Sequence, residues 1–303
     1  MTRRSHRGSV RPLSILLLIC AFALATLAGA CNGGGEPTPT PTPTVTTTET
    51  PSGSPSALPS PSPTAAGTTK VLVYFLRGEK LGVSERRVPA TKAVATAALR
   101  ELCEGPTAAE TQAGLGTTLP DGTELLGVSI KDGVARVDLS SEYASGGGSL
   151  SMTARIAQVV YTATQFPTVK SVTFALDGTP VTTLGGEGII VEKPQTRANW
   201  VEFEPPIFVE NPGVGAILSS PFVLRGTASV FEGSFLAELR DSSGKRIRRV
   251  VVQASEGAPG RGTFRTAVKF TTSATKGTLV VWEVSMEDGS RRNEVSIPVT
   301  FAK

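Results

Sequence analysis

Few residues in this chain of 303 have the type and spacing that chemistry needs. Ser242-Ser243-Gly244-Lys245 places a lysine three residues after a serine, a spacing that activates a serine nucleophile when both stand on the first turn of a helix. Here Asp241-Ser242-Ser243-Gly244 reads as a turn between two strands, so the spacing is not used for catalysis. Gly146-Gly147-Gly148-Ser149 precedes a helical pattern and offers backbone N–H groups to an anion. The plainer reading is a flexible turn with Ser149 capping the helix. Asp138 and Glu142 are four residues apart and could share a metal, but neither belongs to a calcium-loop pattern. They read as a solvated strand end. Lys245, Arg246, Arg248 and Arg249 are the densest cationic run after residue 30. On a strand, Arg246 and Arg248 share one face and Lys245 and Arg249 the other, which suits protection of a sheet edge. Binding to an anionic wall polymer or to lipid headgroups is the alternative. Cys103, on the apolar side of a predicted helix, reads as a small core residue.

The missing residue types narrow the chemistry further. The only histidine is His6, inside a segment expected to be removed, so no Ser-His-Asp or Cys-His site and no histidine-bound zinc is expected. Cysteines stand at 20, 31 and 103 alone, which leaves no pair for an internal disulfide and no thiolate cluster. The chain has 26 acids, but no spacing singles out a carboxylate pair for hydrolysis. No catalytic residue, metal ligand or cofactor is therefore assigned. The formal charge of +4 comes from Arg3, Arg4, Arg7 and Arg11; without them 26 cations face 26 acids. A nucleic-acid partner loses its electrostatic basis.

Residues 1–30 read as a signal peptide: a basic start, an apolar run from Leu13 to Ala28, and small residues before Cys31. The run is shorter than the roughly 20 residues of a membrane span. Leu27-Ala28-Gly29-Ala30-Cys31 resembles the bacterial lipobox, with Ala28 where that motif carries leucine. The resemblance implies lipidation of Cys31, which would anchor the protein outside the cytoplasm; the same small residues suit ordinary secretory cleavage, which would release it. Residues 31–69 follow as the lipidated cysteine and a tether of Pro/Thr and Pro/Ser repeats, holding nine of the 22 prolines. This composition buries too little apolar area to offset chain entropy, so a disordered linker is expected.

Residues 70–193 carry both periodicities. Val71 to Leu76 reads as a strand buried on both faces and Leu81 to Val88 as its neighbour. Thr91 is placed as the N-cap of a helix over about Lys92–Cys103, stopped by Gly105-Pro106. Strands follow over Thr123–Lys131 and Val134–Leu139 around Asp132-Gly133, then a helix over about Leu150–Gln165 with Met152, Ile156, Val159 and Val160 inward. A strand over Val169–Leu176 closes at Asp177-Gly178. This order predicts a small α/β sheet with two helices on one face. The segment resembles the GerMN domain of sporulation and spore germination through Gly105-Pro106, Leu119-Pro120-Asp121-Gly122-Thr123, Leu126-Gly127-Val128, Asp132-Gly133-Val134-Ala135, Val137-Asp138-Leu139-Ser140, Gly147-Gly148-Ser149 and Gln165-Phe166-Pro167-Thr168-Val169. The resemblance implies an extracytoplasmic, non-enzymatic domain similar to the ring-building modules of envelope assemblies.

After a linker at 194–205, residues 206–303 show no helical stripe. Short β-rich runs recur at 207–209, 222–228, 235–240, 245–253, 262–270, 278–286 and 294–301, the pattern of an all-β sandwich. Phe235, Phe264, Phe270 and Trp282 are expected in its core. Pro298 argues that the last strand is bulged or at an edge. The segment is similar to the immunoglobulin-like domain of bacterial spore germination through Pro212-Gly213, Ser219-Ser220-Pro221, Gly226-Thr227-Ala228, Val230-Phe231-Glu232, Gly257-Ala258-Pro259-Gly260, Gly262-Thr263-Phe264, Glu287-Asp288-Gly289-Ser290 and Asn293-Glu294-Val295. The chain thus reads as α+β. The expected function is a sporulation- or germination-related envelope lipoprotein that binds or assembles with extracytoplasmic proteins, self-association included. The alternative is a module that binds wall glycan or anionic polymer.

Overall fold

Strand pairing begins two residues before the expected domain boundary, because Thr68 and Thr69 pair with Pro89 and Val88. The computed structural model describes residues 67–303; the signal segment, Cys31 and the tether up to residue 66 lie outside the described residues. The elements are β1 (Thr68–Arg77), β2 (Lys80–Pro89), α1 (Val94–Cys103), α2 (Ala108–Gln112), β3 (Leu125–Lys131), β4 (Val134–Leu139), α3 (Ser149–Ala163), β5 (Ser171–Leu176), β6 (Thr179–Pro180), β7 (Thr183–Leu184) and β8 (Ile189–Ile190). A 3-10 segment at Arg197–Phe203 leads to β9 (Ile207–Asn211), β10 (Ile217–Leu218), β11 (Phe222–Ala228), β12 (Ser234–Asp241), β13 (Arg246–Gln253), β14 (Gly262–Val268), β15 (Lys276–Val284) and β16 (Arg291–Phe301).

The first unit distributes its strands over separate sheets. β1 and β2 form a hairpin, whereas β3-β4-β5-β6 form a four-stranded sheet in which β4 and β5 run parallel. The cause lies on α3, whose residues 154–163 are all buried. Three polar side chains of α3 and the turn after it occupy the free edge of β1. Gln165 Oε1 accepts from Leu72 N–H at 2.8 Å and its Nε2 donates to Leu72 O at 2.6 Å. Thr162 Oγ1 accepts from Tyr74 N–H at 3.1 Å, and Gln158 Nε2 donates to Tyr74 O at 3.3 Å. A buried strand edge must be satisfied, and once side chains satisfy it no further strand can join.

Local turn chemistry behaves as the residues require. Asp132 and Gly133 have φ of 51° and 82°, and Asp177 and Gly178 46° and 81°, the left-handed pairs that close two-residue hairpins. Two cap assignments change. Thr91 lies outside α1, where its Oγ1 accepts from Ala93 N–H, and Ser149 is the first residue of α3 behind Gly148, which has no side chain to cap with. The short helix α2 adds to the expected elements; it starts with a capping box in which Thr107 and Glu110 exchange hydrogen bonds.

All seven strands expected in the second unit form, in a five-stranded sheet ordered β10-β16-β15-β12-β13 packed on the three-stranded β14-β11-β9. Phe235 and Phe264 meet edge-to-face at 5.0 Å in its core. Trp282 is also buried, at 3% exposed, but on the other face of the sheet. Val281 belongs to the core, so its neighbour projects from the opposite, outer face of the sheet. Pro298 opposes Thr278 on β15, outside the two-residue pairing of β16 with β10 at Thr300 and Phe301. The register shift between β15 and β16 falls at Val281/Glu283 instead.

Candidate functional site

The segment read as a linker is a packed joint. Trp200 and Phe203 are buried in it, and Arg197 and Glu204 reach into both units. Arg197 donates to Glu210 Oε1 at 2.6 Å, to Thr164 Oγ1 at 2.9 Å, and to Tyr161 O and the Tyr74 hydroxyl at 3.2 Å. Its guanidinium lies 4.7 Å from the Tyr161 ring centre and 5.2 Å from that of Tyr74. Tyr74 donates to Glu210 at 2.6 Å and Tyr161 to Glu204 at 2.7 Å, while Arg261 pairs with Glu204 at 3.2 Å. Phe208 of β9 packs against both tyrosine rings at 6.0–6.1 Å. Backbone bonds add to the seam: Val214 accepts from Glu85 N–H at 2.9 Å and donates to Val83 O at 2.8 Å. Gly213 allows this approach, since a Cβ there would lie 2.9 Å from Glu85 N. One apolar core runs through both units.

The buried carboxylates Glu110, Glu204 and Glu238 are each matched by a guanidinium. Glu110 binds Arg86 at 2.5 Å, and Glu238, 3% exposed, binds Arg240 at 2.7 Å and Arg249 at 2.5 Å. Burial alone would raise the Glu110 pKa, but hydrogen bonds from Arg86, Ser84 and Thr107 outweigh it and hold the carboxyl at about 2. Glu210 and Glu238 are also lowered, against burial, by their arginine partners and, for Glu210, by the Tyr74 hydroxyl. A general acid or base at neutral pH needs the opposite tuning. Burial pushes the Cys103 thiol up to about 12, away from the thiolate that nucleophilic chemistry requires.

The sequence-singled residues fall into structural roles. Ser242 to Lys245 form the β12–β13 turn, where Asp241 Oδ1 accepts from Ser243 N–H at 2.9 Å, Ser243 Oγ at 2.6 Å and Lys245 N–H at 3.0 Å. The glycine loop wraps Arg155, which is 3% exposed and donates to the carbonyls of Thr118, Tyr143, Ser145 and Gly146 at 2.7–2.9 Å. A Cβ on Gly147 would lie 2.9 Å from Arg155 Nη2, so the loop is small in order to pack on that side chain. Asp138 accepts from Gly178 N–H at 2.9 Å and Glu142 lies in a separate turn at 141–144; among the described residues no three His, Cys, Asp or Glu gather as a metal site.

The arrangement most suited to recognition is the outer face of the five-stranded sheet. β13 is its terminal strand, as the edge-protection reading expects, but a register shift past Ile247 puts Arg246 on the same face as Arg249 and Arg248 on the other, against the simple alternation expected. Trp282 lies between guanidiniums, with Arg291 4.1 Å and Arg249 5.4 Å from its ring centre. Beside this cationic half is a mainly apolar hollow lined by Phe231, Leu236, Val251, Val284 and Met286, with Glu232 and Ser234 among its lining residues. Alternation along β12 would have placed Glu238 outward, but nothing in the run 278–286, apolar on both faces, signals which way Trp282 points.

Residues 72–182 match the family described as sporulation and spore germination, and residues 206–290 the immunoglobulin-like domain of bacterial spore germination. Among solved structures, the first GerMN domain of the sporulation protein GerM from Bacillus subtilis is 23% identical, with 43% of this chain and 99% of that one covered at a TM-score of 0.39. The tandem GerMN domains of the same protein are 15% identical, with 67% and 62% covered at a TM-score of 0.38. No curated protein matches the chain. The chain therefore carries in tandem a segment that matches the sporulation and spore germination family and one that matches the immunoglobulin-like domain of bacterial spore germination.

Proposed function

We propose that this protein is a non-enzymatic scaffold of the cell envelope, sporulation- or germination-related, that assembles with other extracytoplasmic proteins and is held at a membrane through lipidated Cys31. The observation that supports this reading is the joint: a shared core, the Arg197–Glu210 and Arg261–Glu204 pairs and the Val214 bridge make one stiff body of two domains. A stiff body presents its surfaces at fixed spacing, which assembly uses and catalysis does not require. The test is in-cell cross-linking and affinity purification of the full chain from membranes, alongside Cys31→Ala. The expected result is a stable envelope partner for the native protein and loss of membrane retention for the variant. A monomer without partners, or turnover of a substrate, would overturn the reading. A second reading, binding of anionic wall polymer, draws on the cations of β13; sedimentation of the full chain with purified cell wall is its measurement.

A further inference from the structure

Among the described residues, no hydrogen bond from another strand reaches the outer edge of β13 between Arg246 and Val252. An open edge is a template for a further strand, and natural proteins keep unwanted strands away with charge. Here the unpaired charge has one sign. From Glu238 to Arg249 the hairpin carries Arg240, Lys245, Arg246, Arg248 and Arg249 against Glu238 and Asp241. Glu238 is taken by Arg240 and Arg249, and Asp241 by its own turn. Lys245, Arg246 and Arg248 have no ion-pair partner among the described residues. Two copies joined through this edge would set cation against cation, which disfavours self-pairing.

The far end of the strand is different. Val251 is 67% exposed, Met286 77% and Phe231 53%, and all three line one hollow with Leu236 and Val284. A cluster of exposed large apolar side chains beside an open edge marks a contact surface.

We propose that β13 takes an extended segment of a partner polypeptide as a sixth strand, its acidic residues facing Arg246, Arg248 and Arg249 and a large apolar residue seated in the Phe231/Val251/Met286 hollow. This rests on the assembly reading and names the chemistry of the partner. Across β12, Val251, Arg249 and Arg246 oppose Leu236, Glu238 and Arg240, all on one face because the register shifts past Ile247; an anchor opposite Val251 therefore lies two residues from a carboxylate opposite Arg249 and four from one opposite Arg246.

The probe is a fluorescent, end-blocked peptide of alternating glutamate and valine ending in leucine, titrated into the full chain and read by anisotropy. Saturable binding is expected, weakened at least about tenfold by Arg246→Glu/Arg248→Glu and by raised salt. Met286→Ser should weaken it with every charge retained, and N-methylation of alternate peptide bonds should abolish it at unchanged charge. Native urea midpoints in both variants confirm that these exposed changes leave the fold intact. Equal binding by the charge-reversed protein, by the N-methylated peptide, or by polyglutamate and teichoic acid of matched charge would overturn strand addition, the last outcome in favour of a polymer site. Equal recovery of envelope partners by native and charge-reversed protein would remove this surface while leaving the assembly reading in place. Absence of partners in both would sink that reading by itself.

Discussion

Replacing Arg197 by methionine removes the guanidinium that holds the two domains together while keeping most of the aliphatic stem. Glu210, whose side chain is 16% exposed, would keep the Tyr74 hydroxyl as its remaining close donor. Thr164, the Tyr161 carbonyl and two ring faces would also lose their cationic partner. Removing one member of a buried ion pair costs about 3–5 kcal/mol. Glu210 keeps a hydrogen bond and some access to water, which places the expected loss at the lower end, about 3 kcal/mol. With a urea dependence of about 3 kcal/mol per molar for a body of this size, the midpoint should fall by about 1 M. Trp200 lies in the joint and Trp282 in the immunoglobulin-like domain, so single-tryptophan versions made with Trp200→Phe and Trp282→Phe report the two regions separately. Both should move together in the native background and to lower urea with Arg197→Met. Adding Glu210→Gln should recover part of the loss, because the stranded charge is then gone. A shift under about 0.3 M, with the two substitutions additive, would refute the view that this pair couples the domains.

Two further outcomes follow from the same seam and its neighbour. The Glu110 carboxyl sits at about 2 when folded, against an ordinary value of 4.5, so its contribution is complete above about pH 4.5 and is lost as pH falls toward 2. That difference corresponds to about 3 kcal/mol; Glu110→Gln should be less stable at pH 7, and its urea midpoints should converge with the native ones near pH 2. Gly213→Ala should lower stability by about 1–3 kcal/mol through overpacking of the seam, since the added Cβ meets backbone atoms of Ser84 and Glu85 at 2.9–3.0 Å; an unchanged urea midpoint would contradict that close approach.

What could be read along the chain is what neighbouring residues decide among themselves. An Asp-Gly pair between two strands has the two left-handed residues that a tight hairpin needs, so the turns at 132–133 and 177–178 follow from local sterics, whereas at 121–122 and 288–289 only the glycine has positive φ. Alternation of apolar and polar residues, punctuated by turn clusters, specified the strands of the immunoglobulin-like domain, because which face is buried repeats every second residue. The capping box Thr107-x-x-Glu110 was equally available, as a local pattern that announces α2.

Tertiary structure decided the features whose causes lie far apart in sequence. Gln158 and Thr162 look like ordinary polar positions of an amphipathic helix, yet they are fully buried because the edge of β1, more than eighty residues earlier, presents unpaired backbone groups to them. Arg197 and Glu204 read as linker charges and become the joint only when Tyr74, Tyr161, Glu210 and Arg261 converge on them. Trp282 sits in an apolar run that alternation could not orient, and it is buried on the face away from the Phe235/Phe264 core, beneath Arg249 and Arg291. Periodicity says that a residue has a buried side; only the packed fold says what it is buried against, since that depends on partners that chain-local forces never sample.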